Sequence, residues 1–226
     1  ENNELEAIRK AVTIADAAFE HVLGFVKPGV KEYELAAELE YSMRRSGAEK
    51  PSFDTIVASG PRGALPHGTA ADREIQKGDL VIIDFGAVYN GYCSDMTRTV
   101  LVGEASPKQK EIYQLVLEAQ QAAIGAVSPG AKCSEVDAVA RNLIAGRGYG
   151  DNFGHGLGHG VGLEIHEDPA LNTRNHDRLE EGMVITVEPG IYLSGWGGVR
   201  IEDMAVVTSQ GCEVLTQSGK ELVQIS

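Results

Sequence analysis

The sequence predicts an α+β fold of two related halves, each a pair of helices followed by antiparallel strands, packed about a pseudo-twofold axis. Three observations carry that reading. Apolar residues recur at helical spacing at the start of each half. Short runs rich in Val, Ile and Phe follow. Two blocks of sequence then repeat at nearly the same offset. The 226 residues fall in the range of one large domain or two merged halves, so residues 1–226 are read as a single domain with halves of about 1–105 and 106–226. A chain of that length buries most of its apolar surface without disulfides.

Leu5, Ile8, Val12, Ala15, Phe19 and Leu23 are three or four residues apart and form one face of a helix, whose charged start covers residues 1–10. Leu35, Leu39 and Met43 predict a second helix that closes near Ser46 and Gly47. Residues 53–59 and 80–86 read as strands. Tyr89-Asn90-Gly91-Tyr92 reads as a hairpin tip, because Asn-Gly accommodates positive φ at both central positions, and the return strand runs through Thr99. The pattern then restarts. Ser106 as N-cap, Pro107 at the first position and Gln109 at the third open a helix to about Val127. Another covers residues 134–145, and short strands fill most of 183–215.

The halves resemble each other in detail. GFVKPGVKEYEL at 24–35 matches GAVSPGAKCSEV at 125–136, and KGDLVIIDFG at 77–86 matches EGMVITVEPG at 181–190. The second match aligns Gly78 with Gly182, Asp84 with Glu188 and Gly86 with Gly190. Common turn chemistry around Pro-Gly and Gly-Asp is the competing explanation. An internal duplication places Asp84 and Glu188 on equivalent strands, facing each other across the axis.

Composition narrows the function classes. The net charge is −13 and no Lys/Arg cluster occurs, which speaks against nucleic acid or an anionic membrane as partner. No apolar stretch is long enough for a membrane span, and the N-terminus does not read as a signal peptide. Cys93, Cys133 and Cys212 are odd in number and include no CxxC pair, the pattern of reduced thiols in a cytoplasmic protein.

Five side chains stand out: Asp84, Asp95, His159, Glu188 and Glu202. With Asn90 and Gly91 at the tip, Asp84 falls opposite Thr97, and Asp95 shares its face of the hairpin. Glu188 and Glu202 are symmetric about Gly195 in a glycine-rich turn, so a hairpin closing there brings them together. Taken singly, each has a plain structural explanation as turn chemistry, a solvated edge or a satisfied core histidine. Jointly, four converging carboxylates need cations to remain charged. Two divalent ions with one imidazole among oxygen donors suit Mn²⁺, with Co²⁺, Fe²⁺ and Zn²⁺ as alternatives. The glycine-rich segment at 153–162 fits no GxGxxG register, and GxxxxGK[ST] and GxSxG are both absent, so neither a phosphate cradle nor a serine-hydrolase elbow is supported. Its glycines instead let backbone approach closely around His155 and His159.

In order and context these residues, within VIIDFGA, CSDMTRT, GLGHGVG, TVEPGIY and GVRIED, resemble the five-ligand pattern of the pita-bread metallopeptidases, that is, the creatinase/aminopeptidase fold. VASGPRGALPHG around His67, the additional His155 and GHGVGLEIHEDP resemble Xaa-Pro peptidases (aminopeptidase P and prolidase) more than methionine aminopeptidases. The resemblance implies a peptide substrate with proline at its second position. It implies Asp84, Asp95, His159, Glu188 and Glu202 as ligands of two metal ions, with Asp95 and Glu202 bridging. It also implies Glu188 as proton shuttle, His67 and His166 as groups that hold substrate and stabilise the oxyanion, and His155 as part of the proline pocket. Arg200 and Tyr192 would orient the carboxylates from behind. A methionine-aminopeptidase-like or general aminopeptidase, and a non-catalytic peptide-binding domain of the same fold, are the competing readings. The family usually carries a further N-terminal domain. This chain starts near the first catalytic helix and lacks an initiator Met, so it is expected to be a fragment of a longer protein. The oligomeric state is left open, a homodimer included.

Overall fold

The computed structural model describes residues 2–226; Glu1, counted above in the charged helix start, lies outside the described residues. The first half runs α1 (Asn2–Leu23), α2 (Glu32–Arg45), β1 (Lys50–Pro51), β2 (Ile56–Ser59), β3 (Leu80–Phe85), β4 (Ala87–Tyr89), β5 (Tyr92–Cys93) and β6 (Met96–Val102). The second runs α3 (Pro107–Ala126), α4 (Cys133–Gly146), β7 (Gly158–Gly160), β8 (Glu167–Leu171), β9 (Val184–Val187), β10 (Gly190–Leu193), β11 (Gly197–Arg200), β12 (Asp203–Thr208) and β13 (Gly211–Val214). A last strand, β14 (Gln224–Ile225), returns to lie parallel to β6.

The helices form where the apolar spacing put them. α1 buries Ile8, Val12, Ala15 and Phe19, and α2 buries Leu35, Leu39 and Met43 before Gly47 (φ +103) ends it. At the start of α3 the Gln109 N–H donates to Ser106 Oγ (3.3 Å), and the Ser106 N–H donates back to Gln109 Oε1 (2.9 Å). This reciprocal pair satisfies two donors that the helix leaves open. One core joins α1 and α2 to β3 and β6, a second joins α3 and α4 to the β9, β10 and β11 region, and a third joins Ile8 and Val12 of α1 to Met204 and Val206 of β12 in the other half.

Two bent hairpins dominate the sheets. Phe85 pairs with Met96 and Val88 with Cys93, so one register continues through a bend at Gly86 to the tip at Asn90 (φ 49) and Gly91 (φ 80). A Cβ at Gly86 would overlap the Ser94 carbonyl oxygen, so the bend depends on the missing side chain. In the second half Val187 pairs with Asp203 and Gly190 with Arg200, again one register through a break, centred on Gly195 (φ 73). The strand expected at 53–59 begins only at Ile56, the one expected at 80–86 ends at Phe85, and the return strand breaks at Ser94-Asp95 and continues past Thr99 to Val102.

The duplication extends to individual backbone bonds. Lys31 bridges Glu74, and Lys132 bridges Arg178. Gly29 N–H donates to Ile75 O and Gly130 N–H to Leu179 O; Gly78 N–H donates to Val102 O and Gly182 N–H to Val207 O. Gly29, Gly130, Gly78 and Gly182 all adopt positive φ, which a Pro-Gly or Gly-Asp resemblance of sequence alone would not require at matched places. Among the described residues no helix is long and apolar enough to cross a membrane.

Candidate metal centre

Where the two halves meet, a cavity of about 470 Å³ is lined by Asp84, Asp95, His159, Glu188 and Glu202 and, among others, by His67, His155, His166 and Arg200. Asp84 is carried by β3 and Asp95 by the break before β6. His159 is central in β7, while Glu188 follows β9 and Glu202 precedes β12. Tyr192, on β10, sits behind the wall rather than on it, touching Arg200 and His155.

His159 Nδ1 faces the Gly160 carbonyl (2.9 Å), which can only accept, so Nδ1 carries the proton and the Nε2 lone pair is free. Nε2 lies 3.6 Å from Asp95 Oδ2 and 3.4 Å from Glu188 Oε1, beyond ordinary hydrogen-bond length. Donor atoms of Asp95, His159 and Glu202 all lie within 4.8 Å of one another. Thr97 Oγ1 donates to Glu202 Oε2 (2.6 Å), whereas the buried Glu202 Oε1 has no partner among the described residues. Arg200 Nη2 donates to Asp84 Oδ2, whereas the buried Asp84 Oδ1 has none among them either. Asp84 and Glu188 flank the Asp95, His159 and Glu202 trio rather than belonging to it.

The electrostatics are those of a site in need of positive charge. Burial, then the charges of Glu202, Asp84 and Glu188, holds the Asp95 carboxyl well above its usual range. Burial, then Glu188 and Asp84, does the same to Glu202. Burial pushes Glu188 to about 8, with Arg200 opposing and Asp84 reinforcing the rise. Burial lowers His159, keeping its imidazole neutral and able to coordinate. Orphaned carboxylate oxygens, a free imidazole nitrogen and mutually repelling carboxylates are relieved together by bound cations, so the donor set fits divalent metal.

Arg200 organises the wall. It is 3% exposed and donates from Nε to Thr97 Oγ1 (3.1 Å), from Nη1 to Tyr192 Oη (2.8 Å) and from Nη2 to Asp84. Tyr192 Oη in turn lies 2.8 Å from His155 Nε2, and His155 Nδ1 faces the Gly156 carbonyl (2.7 Å). Burial lowers His155 to about 4, so it is neutral and accepts from the tyrosine. The His166 ring stands edge-on to His159, centroids 4.4 Å apart.

Two residues behind this wall were not singled out as site residues from sequence. Thr97 links Arg200 to Glu202, and Thr186 accepts from the His159 N–H (3.0 Å) while donating to Glu188 Oε1 (3.2 Å). Each lies in register with a carboxylate, Thr97 opposite Asp84 and Thr186 two residues before Glu188 on the same face, and that register was the available signal.

The metallopeptidase family M24 matches residues 6–209. An Xaa-Pro dipeptidase of Pyrococcus furiosus is 54% identical over 220 residues, covering 97% of this chain and 63% of that protein. Among solved structures, an Xaa-Pro dipeptidase from Bacillus anthracis superposes with a TM-score of 0.99 at 55% identity, covering 100% of this chain and 63% of that one. An X-Pro aminopeptidase from Thermotoga maritima superposes with a TM-score of 0.98 at 48% identity, covering 100% and 64%. The chain thus spans slightly less than two thirds of the length of these relatives, and its architecture is the pita-bread fold.

Proposed function

The chain belongs to metallopeptidase family M24, and on that premise we propose that it is the catalytic part of a dinuclear metallopeptidase that hydrolyses the bond between an N-terminal residue and a following proline. The observation that carries this reading is the convergence of Asp84, Asp95, His159, Glu188 and Glu202 on one cavity, with buried carboxylate oxygens left unpartnered. These five residues would hold two divalent ions. The oxygen-rich set with a single imidazole favours Mn²⁺. When bound, such ions supply Lewis-acid polarisation of a carbonyl and of water.

The protein groups account for the rest of the chemistry. Glu188, which lines the cavity beside His159, carries a proton from the attacking water toward the leaving nitrogen. A proline nitrogen leaves a tertiary amide and has no N–H of its own, so it must be given that proton. His67 and His166 line the cavity and supply hydrogen-bond donors for the substrate and the developing oxyanion. Neutral His155, held by Tyr192, lines the wall for an apolar proline ring beside Phe53, Ile56 and Ile165. Arg200 neutralises Asp84 and, through Thr97, fixes the orientation of Glu202. Cys93, Cys133 and Cys212 are free, which supports a cytoplasmic setting.

The test is the Mn²⁺-loaded protein assayed on Gly-Pro and Arg-Pro-Pro, with Met-Ala-Ser as control and Asp95→Ala as blank. Cleavage before proline that disappears in Asp95→Ala is expected. Which proline peptide is cut separates a dipeptidase from an aminopeptidase on longer chains. Cleavage of Met-Ala-Ser alone would move the reading to a methionine-aminopeptidase-like enzyme, and bound metal without any cleavage would point to a need for the part of the longer relatives that this chain does not span, or to a peptide-binding domain.

A further inference from the structure

Beneath the cavity the halves meet through residues that the duplication makes equivalent. In the first hairpin Asp84 pairs with Thr97 and Ile83 with Arg98; in the second, Glu188 and Glu202 stand one step beyond the Val187–Asp203 pair. Because Asp84 matches Glu188, Thr97 and Arg98 match Glu202 and Asp203. Each touches its own counterpart: Thr97 Oγ1 donates to Glu202 Oε2 (2.6 Å) and Arg98 Nη2 to Asp203 Oδ1 (2.7 Å). The pseudo-twofold axis therefore passes through both of these contacts.

Arg98 is only 1% exposed. Its Nη1 donates to the Thr97 carbonyl (3.0 Å) and to the Glu202 carbonyl (2.5 Å). The Thr97 carbonyl also accepts the Glu202 N–H (3.1 Å), so a single guanidinium closes the crossing of the two strands. Its other nitrogens face Asp203 and the carbonyls of Ser218 (2.7 Å) and Gly219 (3.0 Å). Asp203 is completed by Gln120 Nε2 (2.9 Å) and Lys220 Nζ (2.5 Å). A buried ion pair of this kind is not, as such, worth more than well-packed apolar side chains. What apolar replacements could not supply is a fork of N–H groups that holds two carbonyls from opposite halves at once.

We propose that Arg98 is a positioning residue for the metal centre. By tying the Thr97 and Glu202 carbonyls to one rigid plane it fixes the Glu202 carboxylate relative to Asp95 and His159, and thereby sets the affinity for the cation. The inference rests on the metal-centre reading given above. It separates from a merely structural role because the network has an arm that avoids the site: the Lys220 ammonium reaches Asp203 without touching Thr97 or Glu202.

The experiment titrates metal-stripped wild type, Arg98→Lys, Lys220→Met and Asp203→Asn with Mn²⁺ alone by calorimetry, and records the melting temperature of each metal-free protein. Arg98→Lys keeps the charge but lacks the planar fork, and is expected to raise the Mn²⁺ dissociation constant about 10- to 100-fold, the usual cost of losing the support behind a ligand. Lys220→Met is expected to lower the melting temperature while binding Mn²⁺ as wild type does. Wild-type affinity in Arg98→Lys, or an equal loss of affinity in Lys220→Met, overturns the proposal. If Arg98→Lys does not fold, Asp203→Asn takes its place. It removes the charge of the carboxylate that anchors the guanidinium, so weaker Mn²⁺ binding supports the proposal and unchanged binding overturns it. A wild-type protein that binds no Mn²⁺ would instead sink the metal-centre reading itself.

Discussion

Glu188→Gln should make the metal-free protein more stable, and the size of the gain follows from the burial of one carboxylate. Glu188 ionises in the unfolded chain near its ordinary value of 4.5 but only at about 8 in the folded protein, because burial disfavours its charge. A group raised in this way stabilises the fold fully below pH 4.5, and that contribution is lost as pH climbs toward 8. The loss runs at about 1.36 kcal/mol per pH unit, or about 3 kcal/mol by pH 7. Glutamine keeps the shape, still accepts from Thr186 Oγ1, and never ionises. Metal-free Glu188→Gln should therefore melt roughly 6–12 °C above wild type at pH 7, at about 2–4 °C per kcal/mol for a chain of this size. At pH 5 the two should nearly coincide. Saturating Mn²⁺ should reverse the order, because metal stabilises only as far as it binds, and the variant has lost a proposed ligand. Thermal melts with and without chelator at both pH values make the check. A metal-free variant no more stable than wild type at pH 7 would show that the Glu188 carboxylate does not sit where charge is disfavoured.

Arg200→Met should cost about 3–5 kcal/mol in the metal-free protein, since it strands the buried Asp84 carboxylate, and Arg200→Lys should not restore the three-way contact with Asp84, Thr97 and Tyr192. Calorimetric melts of both variants decide it, and an unchanged melting temperature in Arg200→Met would remove Arg200 from its organising role. Gly86→Ala should lose Mn²⁺ binding together with stability, because a Cβ there can be relieved only by moving Ser94, the neighbour of Asp95. Gly125→Ala, in an open position within α3, should instead hold or gain up to about 1 kcal/mol, and similar behaviour of the two variants in a melt would contradict the steric argument.

The parts of the fold legible in the sequence are those fixed by short-range rules. Asn90-Gly91 set a register that put Asp84 opposite Thr97, and symmetry about Gly195 put Glu188 opposite Glu202, as the ladders on either side of each break require. Ser106 and Gln109 marked a helix start because both partners lie within one turn. Strands β7, β8 and β14 were not anticipated, and the reason is physical. β7 is three residues of Gly-His-Gly, and β14 exists only because residues from the far end of the chain find a free edge on β6. Such pairing is non-local, and β propensity hardly reports it. The Arg98–Asp203 network was equally hidden: a cation and a carboxylate 105 residues apart carry no local signature.

The same symmetry that made the backbone legible explains why the chemistry is lopsided. Gly86 matches Gly190, so Asp95, expected opposite the first, corresponds to Arg200, paired with the second. One position thus provides a candidate ligand in the first half and, in the second, the cation that neutralises Asp84. Ala58 pairs with Ile82 in the first half, and the matching positions of the second hold His159 and Thr186, which are hydrogen-bonded. The candidate ligand imidazole and the hydroxyl that steadies its backbone therefore come from the second half alone, in a frame both halves share. A strictly symmetric pair would put another carboxylate in place of Arg200, deepening the repulsion already felt by Asp95 and Glu202. Divergence at Asp95/Arg200 therefore limits the negative charge crowded into the cavity, while Asp84 and Glu188 keep a matched acidic pair facing it.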